Sequence, residues 1–236
     1  MGLRDGIPIF LGYFAVSFAF GIFSVSFGLS VPEAVLISMT NLTSAGQLAA
    51  VPIICGGGSF IELAASQLVI NLRYSLMSVS LSQRLGKHTS RADRFWIAFG
   101  VTDEIFAVAM SKHAMLGRKY FAGLILMPYL GWSSGTLLGA AAGNILPELL
   151  TSALGIAIYG MFIAIIVPEA KKKAPTALCV LFSVALGCAF RFIPPLRAVP
   201  DGFVVIICAV TAGLVFAALF PVETEAEEAK EAGTDD

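Results

Sequence analysis

Charge is what this chain has least of. Only 13 % of its 236 residues are Asp, Glu, Lys or Arg, while 57 % are hydrophobic and the mean hydropathy is +0.86. That balance excludes an ordinary water-soluble domain. The net charge is -1 and the basic residues sit in short clusters between apolar stretches, which leaves no continuous basic face for nucleic acid. Metal-ligating residues are scarce as well. The two histidines, His88 and His113, lie in basic polar stretches without neighbouring ligands, and Cys55, Cys179, Cys188 and Cys208 are far apart with no C-x-x-C pair. These absences argue against a disulfide framework, a metal site and any other cofactor. No nucleophile stands with a base, which weighs against an intramembrane enzyme. A phosphate-binding G-x-x-x-x-G-K-[ST] loop is absent too, so ATP is not the expected energy source. The start, "MGLRDGIPIF", lacks a basic region followed by a short apolar core and a small-residue cleavage site, so the first apolar segment is expected to remain in the mature protein.

What the chain does have is long runs without charge. A hydrocarbon core of about 30 Å needs roughly 20 apolar helical residues. Residues 6–32, 34–61, 63–83 (interrupted only by Arg73), 120–147, 149–168, 174–190 and 202–222 are such runs. The expectation is an all-α, polytopic membrane protein of about seven membrane helices forming one domain over 1–222, followed by an acidic disordered tail, 223–236. Residues 95–110 are too short for a simple span and carry Asp103 and Glu104 just past their middle. Basic residues flank them on both sides: Arg84, Lys87, Arg91 and Arg94 before, Lys112, Arg118 and Lys119 after. If both flanks are cytoplasmic, the segment enters and returns or lies at the interface. Counting back through three spans then puts the N-terminus outside. A faint likeness between "PIFLGYFAVSFAFG" (8–21) and "MPYLGWSSGTLLGA" (127–140) suggests a 3+3 inverted repeat, 6–83 and 120–190, whose copies run in opposite directions.

Polar residues inside these runs are the candidates for chemistry. Thr40, Asn41, Thr43, Ser44, Gly46 and Gln47 fall at mid-depth of the second run, where an unsatisfied polar group costs several kcal/mol. A helix broken near Gly46 would free backbone groups for a polar ligand; the alternative is local back-bonding and bridges between helices. Arg73 lies about ten residues from either end of its span, too deep for easy snorkelling. A membrane arginine should face the protein interior and have a partner, and Asp103 or Glu104 is the candidate. Such a pair either pins two helices together or meets a substrate carboxylate or a proton-carrying acid. Adjacent residues on a helix point about 100° apart, so only one of the two acids is expected in the site. Asp103 is the expected site acid, with capping by Thr102 or Asp103 as the alternative, and Glu104 is expected to face the cytoplasmic surface. Gly131, Gly135, Gly139 and Gly143, spaced by four, read as a packing stripe.

"DGIPIFLGYFAVSFAFGIFSVSFGLSVPEA", "SAGQLAA", "INLRYSL" and "TDEIFAV", in that order and spacing, resemble the AzlC family, the large subunits of bacterial branched-chain amino acid exporters. The resemblance covers nearly all of residues 2–222. It implies export of hydrophobic amino acids across the cell membrane and a much smaller AzlD-type membrane subunit as partner. The family's characteristic positions fall on Gly12, Gly46, Gln47, Asn71, Arg73, Asp103 and Glu104. The residues themselves supply the roles: Arg73, Asn71, Gln47, Gly46 and Asn41 for substrate, Asp103 and Glu104 for coupling to an ion, with protons expected. The rival readings are a non-transporting membrane subunit and a small-ion channel.

Overall fold

The computed structural model describes residues 1–86, 89–112, 115–143 and 170–221, with isolated positions 145, 160, 163 and 166–168. The chain forms two compact units, Met1–Ala164 and Ile165–Asp236. In the first, α1 (Gly2–Ser26), α4 (Phe60–Ser82) and α7 (Arg118–Gly143) are full-length helices. At 1.5 Å per residue each is roughly 34–39 Å long, enough to cross a bilayer. Between them lie four short helices, α2 (Val31–Thr40), α3 (Ser44–Cys55), α5 (Arg91–Phe99) and α6 (Asp103–Met110), each only about 12–18 Å long.

The short helices form two hairpins that enter from opposite ends of the unit. Glycine at φ +99° (Gly28) turns the chain out of α1, and the Ser30–Glu33 capping box starts α2. α2 descends until the Ser38 hydroxyl meets that of Thr136 at 2.7 Å near the middle of α7. The chain unwinds over Asn41–Thr43, and α3 climbs back until Val51 packs with Phe20 and Phe23 of α1 and Cys55 lies within electrostatic range of Glu33. α4 then crosses to the other end, where backbone bonds join Gly86 N–H to Leu116 O (3.2 Å) and Leu116 N–H to Arg84 O (3.0 Å). Residues 86 and 116 are thus neighbours, and everything between them enters and leaves at this basic end. A second capping box, Ser90–Asp93, starts α5, the chain unwinds at Gly100–Thr102, and α6 returns. A span followed by a hairpin therefore occurs twice in opposite directions, over 2–55 and 60–110.

This topology corrects three expectations. The run 34–61 does not cross; it holds the α2–α3 hairpin, since polar residues at its centre let the helix break and turn back. Two crossings rather than three therefore precede the basic loop, and the N-terminus lies at the basic end, where Lys112 pairs with Asp5 at 2.8 Å and the Tyr120 hydroxyl donates to the same carboxylate at 2.8 Å. The helices that open the expected copies at 6 and 120 also run parallel, not antiparallel. Gly6 lies against Leu124 and Met127, Gly131 against Phe10, Gly135 against Phe14 and Ser17, and Gly139 against Phe18. The likeness between the two segments reflects a shared interface, in which the aligned Tyr13 and Trp132 meet edge to face with centroids 5.1 Å apart. The run 149–168 and the tail 223–236 lie outside the described residues. The second unit holds α8 (Ala174–Phe192) and α9 (Asp201–Leu219), which touch through Phe182 and Phe216.

The glycine stripe is what lets α1 and α7 touch backbone to backbone. A side chain at Gly139 would strike the Phe18 carbonyl, and one at Gly135 would strike Ser17 Oγ. Large residues there should abolish folding, since overpacking with movable neighbours already costs about 1–3 kcal/mol and here the obstacle is main chain. We expect Gly139→Leu to aggregate on size-exclusion chromatography in detergent. Gly12→Ala, where no atom lies within 4 Å, should melt like the parent.

Candidate functional site

The two hairpin tips end at mid-depth and are buried: Leu42, Thr43, Val101 and Thr102 are at most 8 % exposed. Irregular backbone survives at this depth only when protein or a cavity satisfies it. Thr43 Oγ1 accepts from Gly46 N–H at 3.3 Å and Thr102 Oγ1 from Ile105 N–H at 3.4 Å, so each returning helix has a threonine N-cap. The break thus falls at Asn41–Thr43, with Gly46 in the first turn of α3. At the end of α2 the Gln47 amide donates to Ile37 O (3.3 Å) and to Asn41 O, and the Tyr129 hydroxyl donates to Met39 O at 3.2 Å. Gln47 Oε1 accepts from Trp132 Nε1 at 3.2 Å. Gln47 is fully buried; both ends of its side chain are used to hold the tip.

Facing the tip from α4 is a ladder at helical spacing, Gln67, Asn71 and Tyr74. Gln67 Nε2 donates to Gly46 O at 2.9 Å, while its Oε1 accepts from Asn71 Nδ2 at 3.2 Å and from Asn41 Nδ2 at 3.4 Å. Asn71 Oδ1 is shielded and has no hydrogen-bond partner. Gly46 is required here: a side chain would run into Gln67 Oε1 at 2.6 Å. Next to this group Arg73 Nη1 lies 2.9 Å from Asp103 Oδ2 and 3.0 Å from Oδ1, and Arg73 Nη2 donates to the Tyr74 hydroxyl at 3.0 Å. The guanidinium also lies over the Tyr74 ring, 4.8 Å from its centroid. The side chains of Arg73 and Asp103 remain 46 % and 41 % exposed. A charged pair of this kind inside a membrane protein faces the protein interior, a cavity or a partner.

The structure therefore joins Asn41, Gly46 and Asn71 through Gln67 and pairs Arg73 with Asp103 beside Tyr74, while Gln47 holds the tip of the first hairpin. Glu104 is an exposed residue with a partner on α1. It accepts a hydrogen bond from the buried Tyr13 hydroxyl of α1 at 2.5 Å, because α6 packs against α1 and not only against water. Tyr13, Gln67, Tyr74, Trp132 and the Ser38–Thr136 pair were not singled out from the sequence; the spacing of Gln67, Asn71 and Tyr74 in an apolar run is the signal that could have found the α4 face. Among the described residues no three of His, Cys, Asp and Glu come together.

Gln47→Leu keeps the volume but strands Trp132 Nε1 and the α2 carbonyls, and each buried orphan costs about 1–3 kcal/mol. It should lower the thermal midpoint in detergent well below that of Asn71→Leu, whose Oδ1 bonds to nothing.

Comparison with known proteins adds identity to this geometry. The family described as AzlC protein matches residues 8–146, which contain both hairpins and all three crossing helices of the first unit up to α7. An uncharacterized membrane protein of Archaeoglobus fulgidus is 31 % identical, covering 79 % of this chain and 82 % of its own length. Inner membrane protein YgaZ of Escherichia coli is 28 % identical over 76 % and 75 %, and the branched-chain amino acid transport protein AzlC of Bacillus subtilis is 23 % identical over 71 % and 66 %. No solved structure matches the chain. With the family match spanning more than half of its length, the chain is a multi-pass membrane protein that belongs to the AzlC family.

Proposed function

We propose that the chain is a secondary transporter that exports branched-chain or similar apolar amino acids across the cell membrane, coupled to a proton gradient. The observation that carries this reading is the half-open Arg73–Asp103 pair at mid-depth, beside the N-terminus of α3. A zwitterion can be held in the middle of a bilayer only if both its charges find partners there. Arg73 and the unbonded first-turn amides of α3 suit a carboxylate. Asp103 and the unpartnered acceptor Asn71 Oδ1 suit an ammonium group. Gln67, itself bonded by Asn41, ties Asn71 to Gly46. The name of the Bacillus subtilis relative supports the substrate class, and the family resemblance supports a small AzlD-type subunit as partner.

The opposed hairpins suit alternating access. Each tip closes the path from one end, so moving one hairpin at a time opens the central site to one side and then to the other. Arg73 and Asp103 belong to different elements, α4 and α6, so a ligand bridging them senses how hairpin and span are arranged.

Counterflow of labelled leucine in proteoliposomes, with and without the small subunit, tests the reading. Wild type should exchange leucine, and Arg73→Gln and Asp103→Asn should lose exchange at least tenfold, the effect expected when about 1.4 kcal/mol or more of charge pairing with the ligand is removed. Leucine exchange at the parental rate in Asp103→Asn, or ion flux without any exchange in wild type, would sink it.

A further inference from the structure

Two acids sit side by side at the start of α6, and the structure treats them differently. Asp103 has a guanidinium against both its oxygens. Among the described residues no cation contacts Glu104, whose direct partner is the Tyr13 hydroxyl. The titratable groups on α1 and α4, the helices packed against α6, are Arg4, Asp5 and Tyr13 of α1 and Glu62, Arg73 and Tyr74 of α4. Of these, Asp5 is engaged with Lys112 and Tyr120, and Arg73 with Asp103 and Tyr74. Tyr13 is the one of these that bonds Glu104 directly, and it is buried and braced by the edge of Trp132.

We propose that Glu104 is the group that carries the coupling proton, and that its hydrogen bond with Tyr13 is the latch by which that proton acts on the α5–α6 hairpin; this rests on the transport reading above. The step balances without a co-reactant. The Glu104 carboxylate takes one proton from the water on one side and becomes a carboxylic acid; it later returns that proton to the other side. Tyr13 keeps its own proton throughout. With Glu104 ionised, the phenol donates to a carboxylate in a charge-assisted bond, roughly twice as strong as a neutral one. With Glu104 protonated the bond is neutral, and the hairpin is held more loosely against α1. Asp103 does not serve in this way, because the adjacent Arg73 charge is already matched to it and its role is the substrate's.

Two measurements test the assignment, using the full chain in liposomes with the small subunit present. In the first, leucine counterflow without a pH gradient is compared with leucine accumulation driven by one. Glu104→Gln, which keeps an acceptor for Tyr13, should retain counterflow and lose gradient-driven accumulation; Tyr13→Phe, which removes the latch, should weaken accumulation and shift its pH profile, and unchanged accumulation in it overturns the latch. Accumulation that survives in Glu104→Gln overturns the proposal, as does loss of both activities in a variant that melts like wild type. The second is an infrared pH titration, which needs no transport. A carboxylic acid band that titrates in wild type and in Asp103→Asn should be missing from Glu104→Gln, and its persistence there overturns the assignment. If wild type shows no leucine exchange at all, the transport reading fails while the infrared titration still decides which acid takes the proton.

Discussion

Every unwound peptide group at mid-membrane has to find a hydrogen-bond partner inside the protein, and that requirement shapes the first unit. Two breaks, at 41–43 and 100–102, would each leave several N–H and C=O groups orphaned in hydrocarbon at several kcal/mol apiece. The two breaks are satisfied differently. At the first, side chains do it: Gln47 and Tyr129 take carbonyls at the end of α2, and Thr43 takes an amide at the start of α3. At the second, the backbone turns on itself, with the Gly100 and Val101 amides bonding back to Trp96, Ile97 and Ala98, and Thr102 capping α6. The first tip therefore depends on distant residues such as Trp132 and Thr136, while the second is largely self-contained. That difference makes the α5–α6 hairpin the more independent of the two, held to its neighbours at its tip by Arg73–Asp103 and Tyr13–Glu104.

Burying both tips needs a wall that leaves room for them, and the α1–α7 pair is that wall. With glycine at every fourth position of α7 the two backbones come into direct contact, replacing lipid contacts with dense packing, which is the available driving force where hydrophobic segregation is absent. The same parallel register brings Tyr13 and Trp132 to the same height. One of these rings then carries Glu104 and the other carries Gln47. The packing stripe and the polar centre are thus linked through a single aromatic contact. At the basic end Asp5, Lys112 and Tyr120 tie the start of α1 to the end of α6 and the start of α7, so the returning leg of the second hairpin is tethered at its base and free to respond at its tip.

Much of the membrane frame was legible in the sequence because charge-free runs report burial in lipid directly: 6–32, 120–147, 174–190 and 202–222 contain helices long and apolar enough to cross a membrane, and 63–83 contains one long enough. The partnership of Arg73 and Asp103 was legible for an energetic reason, since a deep arginine must be paired. Run length cannot tell a crossing helix from one that turns back, however, and so 34–61 was counted as a span. The duplicated span and hairpin escaped notice because its signature sits in turns and caps. Ser30 with Glu33 and Ser90 with Asp93 open the hairpins, and Leu42-Thr43 and Val101-Thr102 form the tips, while the apolar likeness at 8–21 and 127–140 came from two surfaces that pack on each other. The Tyr13 partner of Glu104 was not legible, because helical geometry separates two adjacent side chains without saying what stands opposite either one.

The charges at the centre give the site its logic. Arg73, Asp103 and Glu104 sum to one negative charge among polar groups that add none. A zwitterionic amino acid changes that sum by nothing, whichever residues it contacts, so the substrate alone cannot relieve the excess. A proton on Glu104 does. The centre is then neutral with or without an amino acid, and a neutral centre is the one that hydrocarbon least opposes when the hairpins part and close. Removing either member of the Arg73–Asp103 pair would upset both the substrate's partners and this charge balance, whereas neutralising Glu104 leaves the partners in place and removes only the variable charge. On the proposed reading, separate addresses for the substrate and the proton on neighbouring residues of one short helix would let a single hairpin answer to both.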